Sequence, residues 1–419
     1  MVKDKKLPKV IRRLLRREGT IDVPHIADAL EYIEEHWKVL THEEKQDSGM
    51  LIGLPHPYVV PSVDASSGFT LKEQYYWDSY FNSLGLVGKH QKLAENMLDN
   101  LVHIFNRFTF IPNASQMYHM SHSQPPVLTT YIRLIYETGQ KDLVWLQKYM
   151  AVAEREYEKV WMSETHPFWH KVHHGLSRYY DINVLHDMAE AESGWDMTPR
   201  FERKCLDYLP VDLNALLYKY ETDFAWVAHE AGDEERAKHW EKQASKRKHE
   251  MNKYMWHKRK GFYFDYNYNK GEKGGVWSLA AFFPMWAGMV TKEQAAELVR
   301  NLDKFEHIGG LTATTRPLID MSIFGSIKTQ WAHPNGWAPL HWIVIEALRK
   351  YGYNDEAERI ARKWLRTNLA WYERHNEFLE KYNVVKPQKP PIEGVYPSQK
   401  GFGWTNAIFV KLCKDFLNK

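Results

Sequence analysis

The sequence predicts an all-α protein, an (α/α)6 barrel of about twelve helices whose long loops form one cleft. One pattern recurs along the 419 residues: an apolar helical stretch, a glycine, a polar turn and an amphipathic charged stretch. The first helices are apolar nearly all round and the second have one apolar face, so we expect an inner ring within an outer ring. Irregular spacing of the glycines favours this closed ring over an open α-solenoid, the runner-up.

Each first helix ends at a glycine, where a helix C-cap favours a left-handed residue. The second helices begin with acidic or polar residues, which suit a helix N-terminus. The first helices are expected in "YYWDSYFNSLGLVG" to Gly88, "PPVLTTYIRLIYETG" to Gly139, "VDLNALLYKYETDFAWVAHEAG" to Gly232, "SLAAFFPMWAG" to Gly288 and "WAPLHWIVIEALRKYG" to Gly352. "VPHIADALEYIEEHW" and the tail "GWTNAIFVKLCKDFL" complete the set.

We expect two parts, a basic N-terminal extension over residues 1–24 and one barrel domain over residues 25–419. The start, "MVKDKKLPKVIRRLLRREG", lacks the apolar core and cleavage site of a signal peptide. "KVIRRLLRR" is typical of a solvated terminal helix, with a short helix at a membrane surface as the alternative. The sequence predicts no membrane span, because no run of about 18 apolar residues occurs.

Composition narrows the class of protein further. The net charge of +3 is too small to indicate a nucleic-acid partner, and Cys205 and Cys413 form neither a disulfide framework nor a metal-ligand spacing. We therefore expect a cytoplasmic protein without metal or cofactor. Aromatic residues make up 14% of the chain, with 17 Trp and 24 Tyr. Because flat aromatic faces stack on sugar rings, this surplus favours a sugar-binding cleft.

Five long loops that lead into inner helices carry the unusual residues. They include "HPYVVPSVDASSGFTLKEQ", "IPNASQMYHMSHSQ", the segment that contains "ESGWDMTPRF", "HIGGLTATTRPLIDMSIFGSIKTQWAHPNG" and "HNEFLEKYNVVKPQKPPIEGVYPSQKGFG". Because each precedes an inner helix, all five open at the same end of the barrel. We expect one cleft there, rimmed by aromatic, histidine and carboxylate side chains.

Asp196 in "ESGWD" and Glu380 in "FLEKYN" are the candidate catalytic pair. Two carboxyl groups across a cleft can cleave a glycosidic bond, one as the acid on the leaving oxygen and the other as a nucleophile or as a base for water. An aromatic, partly dry setting raises the pKa of such an acid. From spacing alone, a helix cap is the favoured role of Asp196 and a solvated helix end that of Glu380, with Glu373, Glu377 and Glu393 as rivals.

Seven motifs, in the same order, resemble those of the trehalase family of inverting glycoside hydrolases, which are (α/α)6 barrels. They are "HPYVVPSVDASSGFTLKEQYYWDSYF" (56–81), "HSQPP" (122–126), "ESGWDMTPRF" (192–201), "PVDLNALLY" (210–218), "QWAHPNGWAP" (330–339), "EKYN" (380–383) and "GFGWTN" (401–406). They cover nearly the whole chain. The resemblance implies hydrolysis of an α-glucosidic bond, most simply that of α,α-trehalose.

The resemblance also implies roles for individual residues. Asp196 matches the general acid of the family and Glu380 the general base. Trp77 and Asp78 match positions that hold the sugar at the cleaved bond. Other substrate-lining positions match Asn113, His122, Gln124, Arg178, Trp195, Arg200, Gln330, Trp331 and Trp404.

Several charged residues of the family are replaced in this chain. Arginine forms forked, bidentate hydrogen bonds that no shorter side chain reproduces. The loss implies either reduced activity or a different second sugar. The replacements are Thr70, Gln116 and His122 for arginine, Val395 for glutamate and Ala332 for aspartate.

Alternatives to a trehalose hydrolase stay open on the sequence. Another small α-glucoside or glycosyl conjugate would keep the chemistry, and a catalytically weak sugar-binding barrel or a scaffold would abandon it. Retention of both Asp196 and Glu380 argues against the last two. "HKVHH" (170–174) could offer two metal ligands, although a polar cleft rim is the favoured use, and His333 is expected to pack rather than to carry protons.

Overall fold

The computed structural model describes residues 23–68, 70–162, 166, 169–316, 329–394 and 396–417. Helices dominate these residues, as predicted. In chain order they are α1 (Val23–Leu40), α2 (Tyr76–Leu86), α3 (Gln91–Phe108), α4 (Leu128–Thr138), α5 (Leu143–Glu156), α6 (His186–Glu192), α7 (Val211–Glu230), α8 (Glu234–Tyr254), α9 (Phe283–Trp286), α10 (Lys292–Arg300), α11 (Ala338–Lys350), α12 (Asn354–His375) and α13 (Gly403–Phe416).

Six of these helices form a closed inner ring. Contacts run from α2 through α4, α7, α9 and α11 to α13, and α13 packs against α2. All residues of α2 are buried, which matches its apolar sequence. An open solenoid would leave α2 and α13 apart, so the contact between them decides for the (α/α)6 barrel.

The other long helices cover the ring from outside. In the charged helix α8, the buried residues follow the three-and-four spacing of a single helix face: Ala237, Trp240, Ala244, Arg247 and Met251. The fourth inner helix is shorter than predicted. A 3-10 turn over Leu279–Phe282 leads into the four residues of α9, which has Pro284 in its first turn.

One of the predicted left-handed glycines is wrong. Gly139 has a φ of −103°. A Cβ at this position would lie 2.7 Å from the carbonyl oxygen of Ile135, so close packing favours glycine there. The other four hairpin glycines do adopt positive φ: Gly88, Gly232, Gly288 and Gly352.

Short antiparallel strands tie the loops together. Through the pairing of β12 with β13, Trp337 lies opposite Lys381. The strands are β1 (Thr41–His42), β2 (Tyr58–Val59), β3 (Lys171–His173), β4 (Leu176–Ser177), β5 (Tyr208–Leu209), β6 (Trp256–His257), β7 (Phe262–Tyr263), β8 (Tyr266–Asn267), β9 (Glu272–Lys273), β10 (Glu306–His307), β11 (Gly310–Leu311), β12 (Asn335–Trp337) and β13 (Lys381–Asn383).

The ends of the chain bear on two predictions. Most of the predicted basic extension lies outside the described residues, so its boundary at residue 24 stays a prediction. None of the described helices combines the length and hydropathy needed to cross a bilayer.

Candidate active site

A cavity of about 240 Å³ opens at the end of the barrel where the inner helices begin. All five of the long loops contribute side chains to its wall, as the sequence predicts. The wall includes both candidate catalytic residues and seven of the predicted substrate-lining residues: Trp77, Asp78, Asn113, His122, Gln124, Asp196, Trp331, Glu380 and Trp404.

Asp196 reaches the cavity from the loop that follows α6. The main chain on both sides is held from the neighbouring loop: Gln330 Nε2 donates to the Asp196 carbonyl at 2.6 Å, and the Trp331 N–H donates to the Met197 carbonyl at 3.1 Å. Burial, reinforced by the negative charge of Glu380, raises the pKa of Asp196 to about 7. Asp196 is thus a protonated acid near neutral pH, as a proton donor requires.

Glu192, four residues before Asp196, explains why this segment begins with a glutamate. Its fully buried carboxylate accepts hydrogen bonds from the backbone N–H groups of Ser123 at 2.9 Å and of Tyr180 at 2.6 Å. His170 Nε2 lies 3.1 Å from the same carboxylate. Glu192 therefore joins three loops beneath the cavity and fixes where Asp196 begins.

Glu380 stands at the opposite end of the sequence but on the same cavity wall, and is 2% exposed. Lys381 Nζ lies 2.7 Å from its Oε2, and the Tyr396 hydroxyl donates to its Oε1 at 3.3 Å. Trp404 Nε1 donates to the Glu380 main-chain carbonyl at 3.0 Å. The carboxylate is thus held by a cation, which favours its ionised form.

Asp78 is the third carboxyl group of the cavity. It lies in the first turn of α2 and is 4% exposed. Burial raises the pKa of Asp78 well above its usual range, and the charges of Glu380 and Asp196 add to the effect. The three carboxyl groups are close enough to influence one another's ionisation.

Indole rings form the apolar part of the wall. Trp77 lies 5.9 Å from Trp331 and 6.2 Å from Trp404, measured between ring centroids. Behind them, Trp337 stacks on Trp331 at 3.7 Å with the ring planes 3° apart. This arrangement gives a sugar ring rigid aromatic surfaces to stack on.

Polar side chains complete the wall and are fixed by the main chain. Gln124 Oε1 accepts from the Trp77 N–H at 2.9 Å, and Asn113 Nδ2 donates to the Ser123 carbonyl at 3.2 Å. His122 Nδ1 lies 2.9 Å from Ser121 Oγ, whereas its Nε2 has no hydrogen-bond partner among the described residues. Burial lowers the pKa of His122, so this neutral imidazole stands where the family has an arginine.

Four predicted substrate-lining residues do not reach the wall. Arg200 is buried away from it because its guanidinium is bonded to Asp212 and Asp265, with four N–O distances from 2.7 to 3.0 Å. Arg178 donates to the Trp169 and Leu206 carbonyls instead. The other two lie behind the wall: Trp195, which is fully buried, and Gln330, whose amide holds the Asp196 main chain.

The sequence analysis missed several wall residues. His119 and Tyr118 lie in the aromatic and histidine-rich loop "QMYHMSH", a compositional signal that could have identified them. Burial lowers the pKa of His119 to about 3, so its imidazole is neutral as well. Others carry no motif of their own: Tyr75, Tyr396, Gln399 and Phe402.

The histidines of "HKVHH" do not assemble with acids into a metal site. His170 pairs with Glu192, and His173 stacks against aromatic side chains such as Tyr254. Across the described part of the chain, no group of three or more His, Cys, Asp or Glu side chains could hold a metal ion. His333 is half-buried and is not on the cavity wall.

A protonated carboxyl and an ion-paired carboxylate in one aromatic cavity of an (α/α)6 barrel define the class: this protein is a glycoside hydrolase. A sequence model of the trehalase family matches residues 16–194 and 167–416. The chain belongs to the trehalase family.

Solved structures support this assignment. Neutral trehalase Nth1 from Saccharomyces cerevisiae is 30% identical, with a TM-score of 0.75 over 87% of this chain and 74% of that chain. The GH63 mannosylglycerate hydrolase from Thermus thermophilus, in complex with Tris and D-glycerate, is 18% identical with a TM-score of 0.65. Coverage there is 93% of this chain and 99% of that chain. At that identity it shares the fold alone.

Proposed function

We propose that this protein hydrolyses α,α-trehalose to glucose with inversion at the attacked carbon. The observation that carries the proposal is the different setting of Asp196 and Glu380 in one cavity. Burial makes Asp196 a proton donor near neutral pH, whereas Lys381 balances the charge of Glu380. Such a division between an acid and a base is what an inverting glycosidase needs.

In the proposed reaction, Asp196 gives its proton to the glycosidic oxygen as the bond to the anomeric carbon breaks. Glu380 takes a proton from a water molecule, and the oxygen of that water attacks the opposite face of the carbon. One glucose leaves with the bridging oxygen and keeps its configuration. The other is released as the β-anomer.

The remaining wall residues bind and orient the sugar in this proposal. Trp77, Trp331 and Trp404 stack on the ring, while Asp78, Asn113 and Gln124 bond its hydroxyl groups. His122 Nε2 supplies a further polar atom, because its other ring nitrogen is engaged by Ser121. The four residues that lie off the wall support the site from behind.

A different second sugar is the alternative that one observation favours. His122 replaces an arginine of the family on the wall and is neutral. Another small α-glucoside or a glycosyl conjugate would retain the same acid and base.

A substrate panel with trehalose, maltose, kojibiose and glucosylglycerate tests the proposal. We expect the highest kcat/KM with trehalose, and a loss of at least about 100-fold in both Asp196→Asn and Glu380→Gln. Turnover that survives either change would remove the mechanism. A preference for another glucoside would correct the substrate alone, and binding without turnover in the wild type would favour the sugar-binding barrel.

We also propose that the enzyme works in the cytoplasm and needs no metal or cofactor. Both cysteines, Cys205 and Cys413, are buried free thiols, which suits a reducing compartment. Activity that is unchanged after dialysis against a chelator is the expected result.

A further inference from the structure

Lys381 is a fully buried lysine beside the active site. Its Nζ lies 2.7 Å from Glu380 Oε2, and the solvent-exposed fraction of its side chain is 0%. The ammonium also lies 4.9 Å from the ring centroid of Trp337 and 5.5 Å from that of Tyr396. A buried ammonium without a counter-charge is strongly disfavoured, so Lys381 and Glu380 depend on each other for their charges.

The other two carboxyl groups of the cavity lack such a partner. In the part of the chain that the structure describes, neither Asp196 nor Asp78 has an ion pair with a lysine, arginine or histidine. Glu380 is faced by Lys381 from its own strand, by the Tyr396 hydroxyl, by Asp78 from α2 and by Asp196. Lys381 is the one cation of this set.

Strand pairing explains why Lys381 points inward beside Glu380. The residue lies on β13 opposite Trp337 of β12, and these strands form the loop layer at the mouth of the barrel. Stacked against Trp331, the Trp337 ring is itself immobile. The ammonium is therefore held in one place rather than free to sample solvent.

We propose that Lys381 is a positioning residue that keeps Glu380 ionised and aimed, and so decides which carboxyl group of the cavity acts as the base. This inference rests on the proposed hydrolytic function. A neutral residue at position 381 would let the negative charges of the cavity compete for protons, and Glu380 would then be protonated over much of the working pH range.

The test replaces the lysine by the similarly long but neutral methionine in the full chain. For Lys381→Met we expect kcat on trehalose to fall about 100-fold at neutral pH, with KM within about threefold of wild type. The acidic limb of the pH profile of kcat/KM should move to higher pH, because a higher pH is then needed to ionise the base. Lys381→Arg, which keeps the charge, should leave that limb in place.

Lys363→Met is the matched control. Lys363 also pairs with a glutamate, Glu306, at 2.8 Å, but it lies on the outer helix α12. We expect wild-type kcat and an unmoved pH profile for this variant. A Lys381→Met enzyme with wild-type kcat, or with lowered kcat and an unmoved acidic limb, would overturn the proposal.

Two further measurements cover other outcomes. If Lys381→Met does not fold, the double variant Lys381→Met/Glu380→Gln should fold, because both charges are gone; a double variant that also fails would show that Lys381 serves packing alone and overturn the proposal. If the wild type cleaves no α-glucoside, the proposed function fails. A carbon-13 NMR titration of the Glu380 carboxyl in wild type and Lys381→Met then still decides, with a shift to higher pH expected and equal titrations contradicting the role of Lys381.

Discussion

At the scale of single residues, burial divides the work of the cavity. The pKa of Asp196 rises to about 7 because the carboxyl is buried, with Glu380 as the second cause. A proton donor must hold its proton before the reaction, so kcat/KM should fall as pH rises through about 7. A pH profile measured on trehalose checks this, and activity that stays constant well above pH 7 would contradict the role of Asp196.

The same shift predicts an effect on stability. Because the folded-state pKa of Asp196 is raised, the folded protein holds a proton that the unfolded chain has lost between about pH 4 and pH 7, and stability falls as pH rises through that window. Asp196→Asn removes this cost. We expect its free energy of unfolding to exceed that of wild type by about 1–4 kcal/mol at about pH 8.

Chemical denaturation at two pH values makes that measurement. Near pH 4 both forms of the side chain are largely neutral, so the gain in unfolding free energy should shrink towards zero. A gain that is equal at both pH values would show that burial of the charge is not its cause.

Gly194 permits the close approach of Asp196 and Trp77. Its φ is +69°, and a Cβ would lie 2.7 Å from Cζ2 of Trp77, whose ring is packed against Phe81 and Trp331 and cannot move away. We expect Gly194→Ala to lower kcat/KM at least about tenfold, because the aromatic wall must shift.

The matched control is Gly232→Ala, on the far side of a hairpin. Gly232 has a similar φ of +73°, but a Cβ there meets nothing within 4 Å. Both variants should lose about 1 kcal/mol of unfolding free energy through backbone strain. Equal activities in the two variants would contradict the close-contact account.

At the scale of elements, Arg200 joins segments rather than sugar. Its guanidinium binds Asp212, in the first turn of α7, and Asp265, which follows β7. Removal of one partner of a buried ion pair typically costs about 3–5 kcal/mol. Arg200→Met should lose a comparable unfolding free energy, measured by denaturant titration.

Arg359 provides the comparison on the surface. It pairs with Glu306 at 2.8 Å, and 46% of its side chain is exposed. Arg359→Met should change the unfolding free energy by less than about 1 kcal/mol. If Arg200→Met were equally mild, the buried cluster would not be what holds the loop of Asp196 against α7.

The role of Arg200 could not be read from its motif. Its position near Asp196 in "ESGWDMTPRF" suggested a sugar contact, but the carboxylates that capture it come from elements 12 and 65 residues away. Such competition between a ligand and protein partners is visible only in three dimensions. Helix order and the shared end of the loops, by contrast, follow from local patterns of apolar residues and glycines.

At the scale of the whole molecule, the contact between α2 and α13 brings the two halves of the site together. Trp77 and Asp78 begin α2, whereas Glu380 and Trp404 come from the end of the chain. Hairpin order in the sequence predicted the barrel, and closure then follows because inner helices that are apolar all round must be covered. The pairing of Glu380 with Lys381 was not predicted, since the sequence does not show which way a strand residue in a loop faces.

The most direct test of two opposed carboxyl groups is the anomer first released. Proton NMR of fresh trehalose hydrolysis, recorded before mutarotation, should show α- and β-glucose in equal amounts, because only the attacked sugar inverts. Release of α-glucose alone would mean retention of configuration and would contradict the assignment of Asp196 as acid and Glu380 as base.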